Sequence, residues 1–179
     1  MKLLILFLSI SMKIKFLNSF GEFIPIMEED FESCTSDKKY HRADLSNFKL
    51  ITGKDRVFAN GTVKFLKNIK SPWKVNFTTE RMVNGVWQKG DVNRVMDDFC
   101  ISKKNPSEPS YIVSKYIKDC PIKAGDIQEF KMVPTSVLPA YLPSDYRGEW
   151  RFYARSTYSD SKDGQVEDCS VISLEVMQK

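Results

Sequence analysis

His41 is the only histidine in the chain, and this narrows the available chemistry at once. Histidine is the side chain that most often moves protons near neutral pH. A Ser-His-Asp or Cys-His arrangement would therefore have to use His41. That residue sits in the run Lys38-Lys39-Tyr40-His41-Arg42, whose charge predicts a solvated loop. The sequence holds no Gly-x-Ser-x-Gly turn, no His-Glu-x-x-His and no glycine loop able to cradle phosphate. Asp97-Asp98 is a carboxylate pair, but adjacent residues on a helix point apart and cannot share one substrate atom. A hydrolase ranks last among the readings. The chain is expected not to be an enzyme and to need no cofactor.

The four cysteines include no C-x-x-C pair. With a single histidine they make a poor metal set, so no metal site is expected. An even count behind an N-terminus of secretory type reads as two disulfides, and sequence alone leaves three pairings open. A Cys100–Cys120 bridge would close a loop of about 20 residues, worth ~3 kcal/mol in the chain-entropy model. A Cys34–Cys169 bridge would tie the N-terminal segment to the last strand.

The secretory pattern is Met1-Lys2, then the apolar run Leu3 to Ile10, then Lys13 and Lys15. The run is too short to cross a bilayer. Ser19 and Gly21 lie at small-residue spacing, so residues 1–21 are read as a signal peptide and 22–179 as a single domain. Losing Lys2, Lys13 and Lys15 takes three from 27 basic residues against 23 acidic, a net charge of about +1. That balance, without a basic stripe, excludes a nucleic-acid binder. Asn60-Gly61-Thr62 and Asn76-Phe77-Thr78 are sequons suited to the same compartment, while Pro106 disqualifies Asn105-Pro106-Ser107.

Period-two alternation dominates the elements that must position these residues. Trp73, Val75 and Phe77 alternate with Lys74, Asn76 and Thr78. Val63 and Phe65 alternate with Thr62 and Lys64, so both sequon asparagines fall on polar faces. Phe48 and Leu50 suggest an earlier strand. Trp150, Phe152 and Ala154 begin one late strand, and Ile172, Leu174 and Val176 another, with Lys162-Asp163-Gly164 turning between them. Asn84-Gly85 is a strong type I′ hairpin signal. Val92, Val95, Met96 and Phe99 fall at helical spacing and predict a short helix over 92–99. Tyr111 to Lys118 reads as a further helical turn or two. The expected architecture is mainly β: a two-sheet antiparallel sandwich or cup with a small helical insert.

Three Trp, twelve Phe and seven Tyr give a large apolar surface. On the residues alone, the apolar strand faces read as a packed core in preference to a ligand cavity, with both readings open. The apolar stretch Val133 to Leu142 reads equally as a buried crossing or as an exposed lip that touches membrane.

Cys120-Pro121 with Lys123 and Gly125, then Leu138-Pro139, Leu142-Pro143, Asp145-Tyr146-Arg147 and Cys169, resembles the ganglioside-activator family of the ML lipid-recognition superfamily. Upstream, Asn60-Gly61-Thr62-Val63, Trp73-Lys74-Val75-Asn76, Asn84-Gly85-Val86-Trp87 and Phe99-Cys100 keep the spacing. The likeness covers about residues 55–179, and the insert between Cys100 and Cys120 is most similar to arthropod secreted members, including chemosensory proteins of the CheB type. The chain lacks the family's additional mid-loop cysteines, so a reduced disulfide framework is implied.

The resemblance implies an immunoglobulin-like β-cup around an apolar lipid cavity, with Cys34–Cys169 and Cys100–Cys120 pairings. On it, Val63, Phe65, Trp73, Val75, Phe77, Trp87, Trp150 and Phe152 become candidate cavity lining. Val137, Leu138, Tyr141 and Leu142 become candidates for its mouth. The implied function is a secreted, glycosylated carrier or presenter of a lipid or other hydrophobic small molecule, extracellular or lysosomal, with transient membrane contact and a receptor or hydrolase as further partners. The alternative is a secreted β-sandwich interaction module that binds a protein or receptor through its surface around a filled core.

Overall fold

Trp73, Val75 and Phe77 share one face of a strand, and Val57, Ala59, Val63 and Phe65 share one face of another; burying both against each other produces the fold. The computed structural model describes residues 20–27, 30–108, 111–137 and 140–179. The secretory pattern, apart from Phe20 and Gly21, and the mouth candidate Leu138 lie outside the described residues.

Among the described residues the order is β1 (Phe20–Met27), β2 (Glu32–Ser33), β3 (Ala43–Thr52), β4 (Arg56–Phe65), β5 (Trp73–Val83), β6 (Val86–Lys89), β7 (Arg94–Met96), α1 (Phe99–Ser102), α2 (Tyr111–Ser114), β8 (Ile127–Val137), β9 (Ala140–Pro143), β10 (Gly148–Tyr158) and β11 (Asp168–Gln178). A large sheet of eight strands runs β6-β5-β10-β11-β1-β9, with β2 on β11 and β7 on β5. A smaller sheet of three runs β3-β4-β8. The pairing is antiparallel throughout, and the two sheets form a mainly-β sandwich.

Two local features set the register. Asn84 and Gly85 have φ of 53° and 79°, the paired positive values of a type I′ turn, so Met82 faces Trp87 across the β5–β6 hairpin. In β4, Gly61 has φ 102°, and a Cβ there would lie 1.9 Å from the Asn47 carbonyl oxygen. The β3 bulge between Asp44 and Asn47 brings that carbonyl in, so only glycine fits.

The helix expected over 92–99 is replaced by a strand and a later helix start. β7 pairs Met96 with Val75, and α1 begins at Phe99 with Asp98 as its N-cap. Met96 and Phe99 are buried while Val92 and Val95 are exposed. An apolar spacing of three thus arises here from the end of a strand followed by a capped turn. The Asp98 carboxylate accepts the Cys100 N–H at 3.0 Å and the Trp73 N–H at 3.2 Å, joining α1 to the start of β5. Asp97 points elsewhere and pairs with Lys74 at 3.3 Å.

All four cysteines are bridged, Cys34 to Cys169 and Cys100 to Cys120. The second bridge gathers α1, α2 and the following turn into one insert. Lys103, only 3% exposed, fastens it by donating to the Ile117 carbonyl and pairing with Asp119 at 2.8 Å.

Candidate ligand cavity

Residue size decides where the sandwich is hollow. Across the large sheet the inward positions Ala154 and Ser170 face each other in β10 and β11, and Ser156 faces Asp168. Ala154 also pairs with Phe77, and Ser156 with Val75. Short side chains in the middle strands cannot reach the opposite sheet, about 10 Å away. A cavity of about 250 Å³ lies over them.

Its walls come from four sources. β5 contributes Trp73, Val75 and Phe77, and the small sheet contributes Ala43, Leu45 and Phe48 from β3, Val63 and Phe65 from β4, and Phe130 from β8. The disulfide-bound insert adds Phe99, Ser114 and Ile117, and the segment before β3 adds Phe31 and Tyr40. The Phe31, Phe48 and Phe130 rings form a chain with centroids 5.4 and 5.0 Å apart.

The polar floor is Asp168, 5% exposed. Its carboxylate accepts N–H groups from His41 at 2.6 Å, Arg42 at 3.1 Å and Ala43 at 3.0 Å, and the Tyr158 hydroxyl at 2.7 Å. Arg42 sits alongside, 5% exposed, with its guanidinium 4.7 Å from the Tyr158 ring centroid. Its Nε and Nη2 grip both oxygens of Glu167 at 2.7 and 2.9 Å, and its Nη1 pairs with Asp160 at 2.9 Å. The Arg42 hydrogen bonds hold Glu167 below the usual carboxylate range, while burial and the Asp168 charge push the Tyr158 phenol well above its ordinary value. The Trp73 indole N–H is satisfied by Ser156 Oγ at 3.1 Å.

Two hydroxyls at the wall have no hydrogen-bond partner: Ser114 Oγ and Tyr40 Oη, both buried. Burial raises the Tyr40 phenol above its ordinary value, with Asp44, Asp168 and Glu32 adding to it.

Val63, Phe65, Trp73, Val75 and Phe77, named from the sequence, meet at the cavity wall. Trp87, Trp150 and Phe152 do not. Trp87 is on the outer face of the large sheet, because the two-residue turn sets it opposite outward Met82, and Arg151 lies 4.0 Å over its ring. Trp150 is inward but belongs to a separate cluster with Phe23, Leu174 and Val176. Phe152 follows it on the inner face, 36% exposed. Of the mouth candidates, Val137 ends β8, while Tyr141 and Leu142 lie in β9 opposite Glu22 and Gly21 of β1. Within the stretch from Val133 to Leu142, the described residues of β8 belong to the small sheet and those of β9 to the edge of the large one.

Sequence reasoning missed Phe31, Tyr40, Asp168 and the insert residues Phe99, Ser114 and Ile117. The Cys100–Cys120 bracket was the signal for Ser114 and Ile117, which lie inside it, and for Phe99 immediately before it, since a bridged insert must lie against something. The His41 ring faces Asp37 at 3.1 Å on the exposed surface and not the cavity. Among the described residues no group of three or more His, Cys, Asp or Glu could hold a metal. Asn60 and Asn76 both lie half-buried on strands, Asn60 accepting the Met132 N–H at 3.3 Å through Oδ1 and Asn76 standing opposite Arg155. No protein-family model matches the chain, and no curated protein matches it.

Proposed function

We propose that this chain is a secreted binding protein for a lipid or other hydrophobic small molecule, which it carries or presents without transforming it. The observation that carries the reading is the 250 Å³ apolar cavity, walled by both sheets and by a disulfide-tied insert. A packed core of this size normally holds few voids larger than a water molecule, and a largely apolar space of this volume supports the reading as a binding feature. An apolar ligand would leave water for this space, gaining ~0.8 kcal/mol per buried methylene before the costs of association.

The finer reading is an immunoglobulin-like lipid-recognition cup of the ganglioside-activator kind, supported by the ordered motifs from Asn60 to Cys169. Glycans at Asn60 and Asn76, an extracellular or lysosomal location, transient membrane contact and a receptor or hydrolase that receives the ligand belong to the same proposal. The test is native mass spectrometry of the secreted, non-reduced protein with organic extraction of its cargo. A co-purifying or readily exchanged apolar molecule in one-to-one ratio is expected. Refusal of every apolar probe by the folded protein would overturn the proposal.

A second reading is an interaction module acting through its outer face. Its support is the cross-strand array there, with Arg151 on Trp87, Arg155 4.6 Å over Tyr153, and Tyr153 donating to Glu80 at 2.7 Å. A stoichiometric protein partner lost with Trp87→Ala, together with a ligand-free interior, would favour it.

A further inference from the structure

The polar groups around the cavity are engaged with one another or out of reach, and this narrows what can occupy it. The Asp168 carboxylate accepts the N–H groups of His41, Arg42 and Ala43 and the Tyr158 hydroxyl. Ser156 Oγ accepts the Trp73 indole N–H. Ser114 Oγ and Tyr40 Oη have almost no accessible surface, so a molecule in the cavity cannot hydrogen-bond to them. Ser170 is 8% exposed, between Ala154 and Ser33 in the large sheet. The surface left facing the space is almost wholly carbon, from rings and aliphatic side chains of both sheets and the insert. The wall holds no lysine or arginine. Arg42, alongside, is committed to Glu167 and Asp160.

Volume sets the length of what fits. An engineered apolar cavity of ~150 Å³ takes up benzene, about 25 Å³ for each carbon. At that scale 250 Å³ holds about ten non-hydrogen atoms. That is one medium-length chain, far short of the two tails of a membrane lipid.

Resting on the cavity reading above, we propose that the cavity receives a bare hydrocarbon segment of about ten non-hydrogen atoms, a single chain with no polar atom inside, and that any polar group of the ligand stays outside it. A hydroxyl or ester drawn in would leave water without gaining a partner. A carboxylate would in addition meet the Asp168 charge with no cation in the wall to offset it. The segment is a free hydrocarbon or the end of one lipid chain, and a second chain of the same lipid has no room.

The test uses the full secreted protein with straight-chain primary alcohols from hexanol to dodecanol, the nonane diol with a hydroxyl at each end, nonane, and nonanoyl lysophosphatidylcholine. Headspace depletion reads nonane, and calorimetry reads the rest. Affinity is expected to rise about fourfold per carbon along the alcohols and to level off at about ten. One end of the diol must enter the cavity, so the diol is expected to bind about tenfold more weakly than nonanol, or worse. Ala154→Leu adds about three carbons to the wall and should shorten the best-bound alcohol by about as many. The unsubstituted protein carries the length and diol readings, so they stand whether or not that variant folds. Uptake of nonane together with the lysolipid assigns the segment to a lipid chain, and uptake of nonane with refusal of the lysolipid assigns it to a free hydrocarbon; both accord with the proposal. A diol bound as tightly as nonanol, or a gain of about fourfold per carbon that continues through dodecanol, would overturn the inference and leave the cavity reading intact. Refusal of nonane and of every alcohol would overturn both.

Discussion

The two ends of the large sheet's inner face both carry a tryptophan among other apolar side chains and use them in opposite ways. At one end Trp150, Phe23, Leu174 and Val176 pack solid. Trp150 is 2% exposed, stacks on Tyr146 at 5.4 Å and donates its indole N–H to the Tyr146 carbonyl at 2.8 Å. A Cβ on neighbouring Gly90 would lie 2.3 Å from Thr79 Oγ1 and 3.0 Å from the Trp150 ring, so nothing larger than glycine fits. At the other end Trp73, Val75 and Phe77 stand around Ala154, Ser156 and Ser170, and space remains. The hollow end is also the polar and cross-linked one: it holds the Asp168–Arg42–Glu167 floor and the bridged insert, and Cys34–Cys169 lies beside it. Apolar rings alone therefore do not make a binding site. Small residues open the space, and rigid supports keep the walls from collapsing into it.

The sharpest way to break this comparison is Trp150→Ala. At the packed end it should cost about 3–5 kcal/mol in denaturant unfolding while leaving ligand affinity at the distant cavity within about twofold. A loss below ~1.5 kcal/mol would mean that this end is not packed as described. Removing the insert's bridge with Cys100→Ala and Cys120→Ala should cost about 3 kcal/mol in the chain-entropy model. Because Phe99, Ser114 and Ile117 come from that insert, the same variant should weaken ligand binding at least tenfold. Intact affinity would remove the insert from the site.

A matched pair of enlargements sharpens the contrast further. Val176→Phe, at the packed end, should destabilise by about 1–3 kcal/mol through overpacking. Ala154→Phe places the same ring over open space, so it should leave stability within ~1 kcal/mol and abolish ligand uptake. Equal destabilisation by the two would show that the hollow end has no room.

Alternation, turn chemistry and cysteine count made the sandwich legible in the sequence. Trp73, Val75 and Phe77 declared a face, and Asn84-Gly85 declared a hairpin. What alternation does not encode is position along the strand. Trp150, Phe152 and Ala154 share parity, yet they occupy the packed end, an exposed middle and the cavity in turn. Trp87 went outside because the two-residue turn binds its parity to Met82. The cavity itself was written in Ala154, Ser156 and Ser170, residues whose smallness carries no message until the register sets them side by side. Strands β1 and β9 escaped notice because their partners are distant in sequence and their residues do not alternate cleanly.

Acid is the gentlest way to separate the two ends. Glu167 is held below the ordinary carboxylate value of 4.5 by its hydrogen bonds from Arg42, and Asp119 below 3.8 by its hydrogen bond from Lys103. Each has a folded-state value lower than its unfolded one. The stability each contributes is therefore fully present above the unfolded value and is lost as pH falls through the folded value. Both groups support the hollow end, one under its floor and one across the insert. The urea midpoint should thus stay level from about pH 7 to about pH 5 and decline below ~4.5, while ligand affinity, a property of the folded protein, falls only at lower pH, where the folded carboxylates themselves take up protons. If Glu167→Gln lowered stability at pH 7 by no more than it does at about pH 3, the Arg42 floor would be an ordinary surface pair, and support of the cavity would have to come from the disulfides alone.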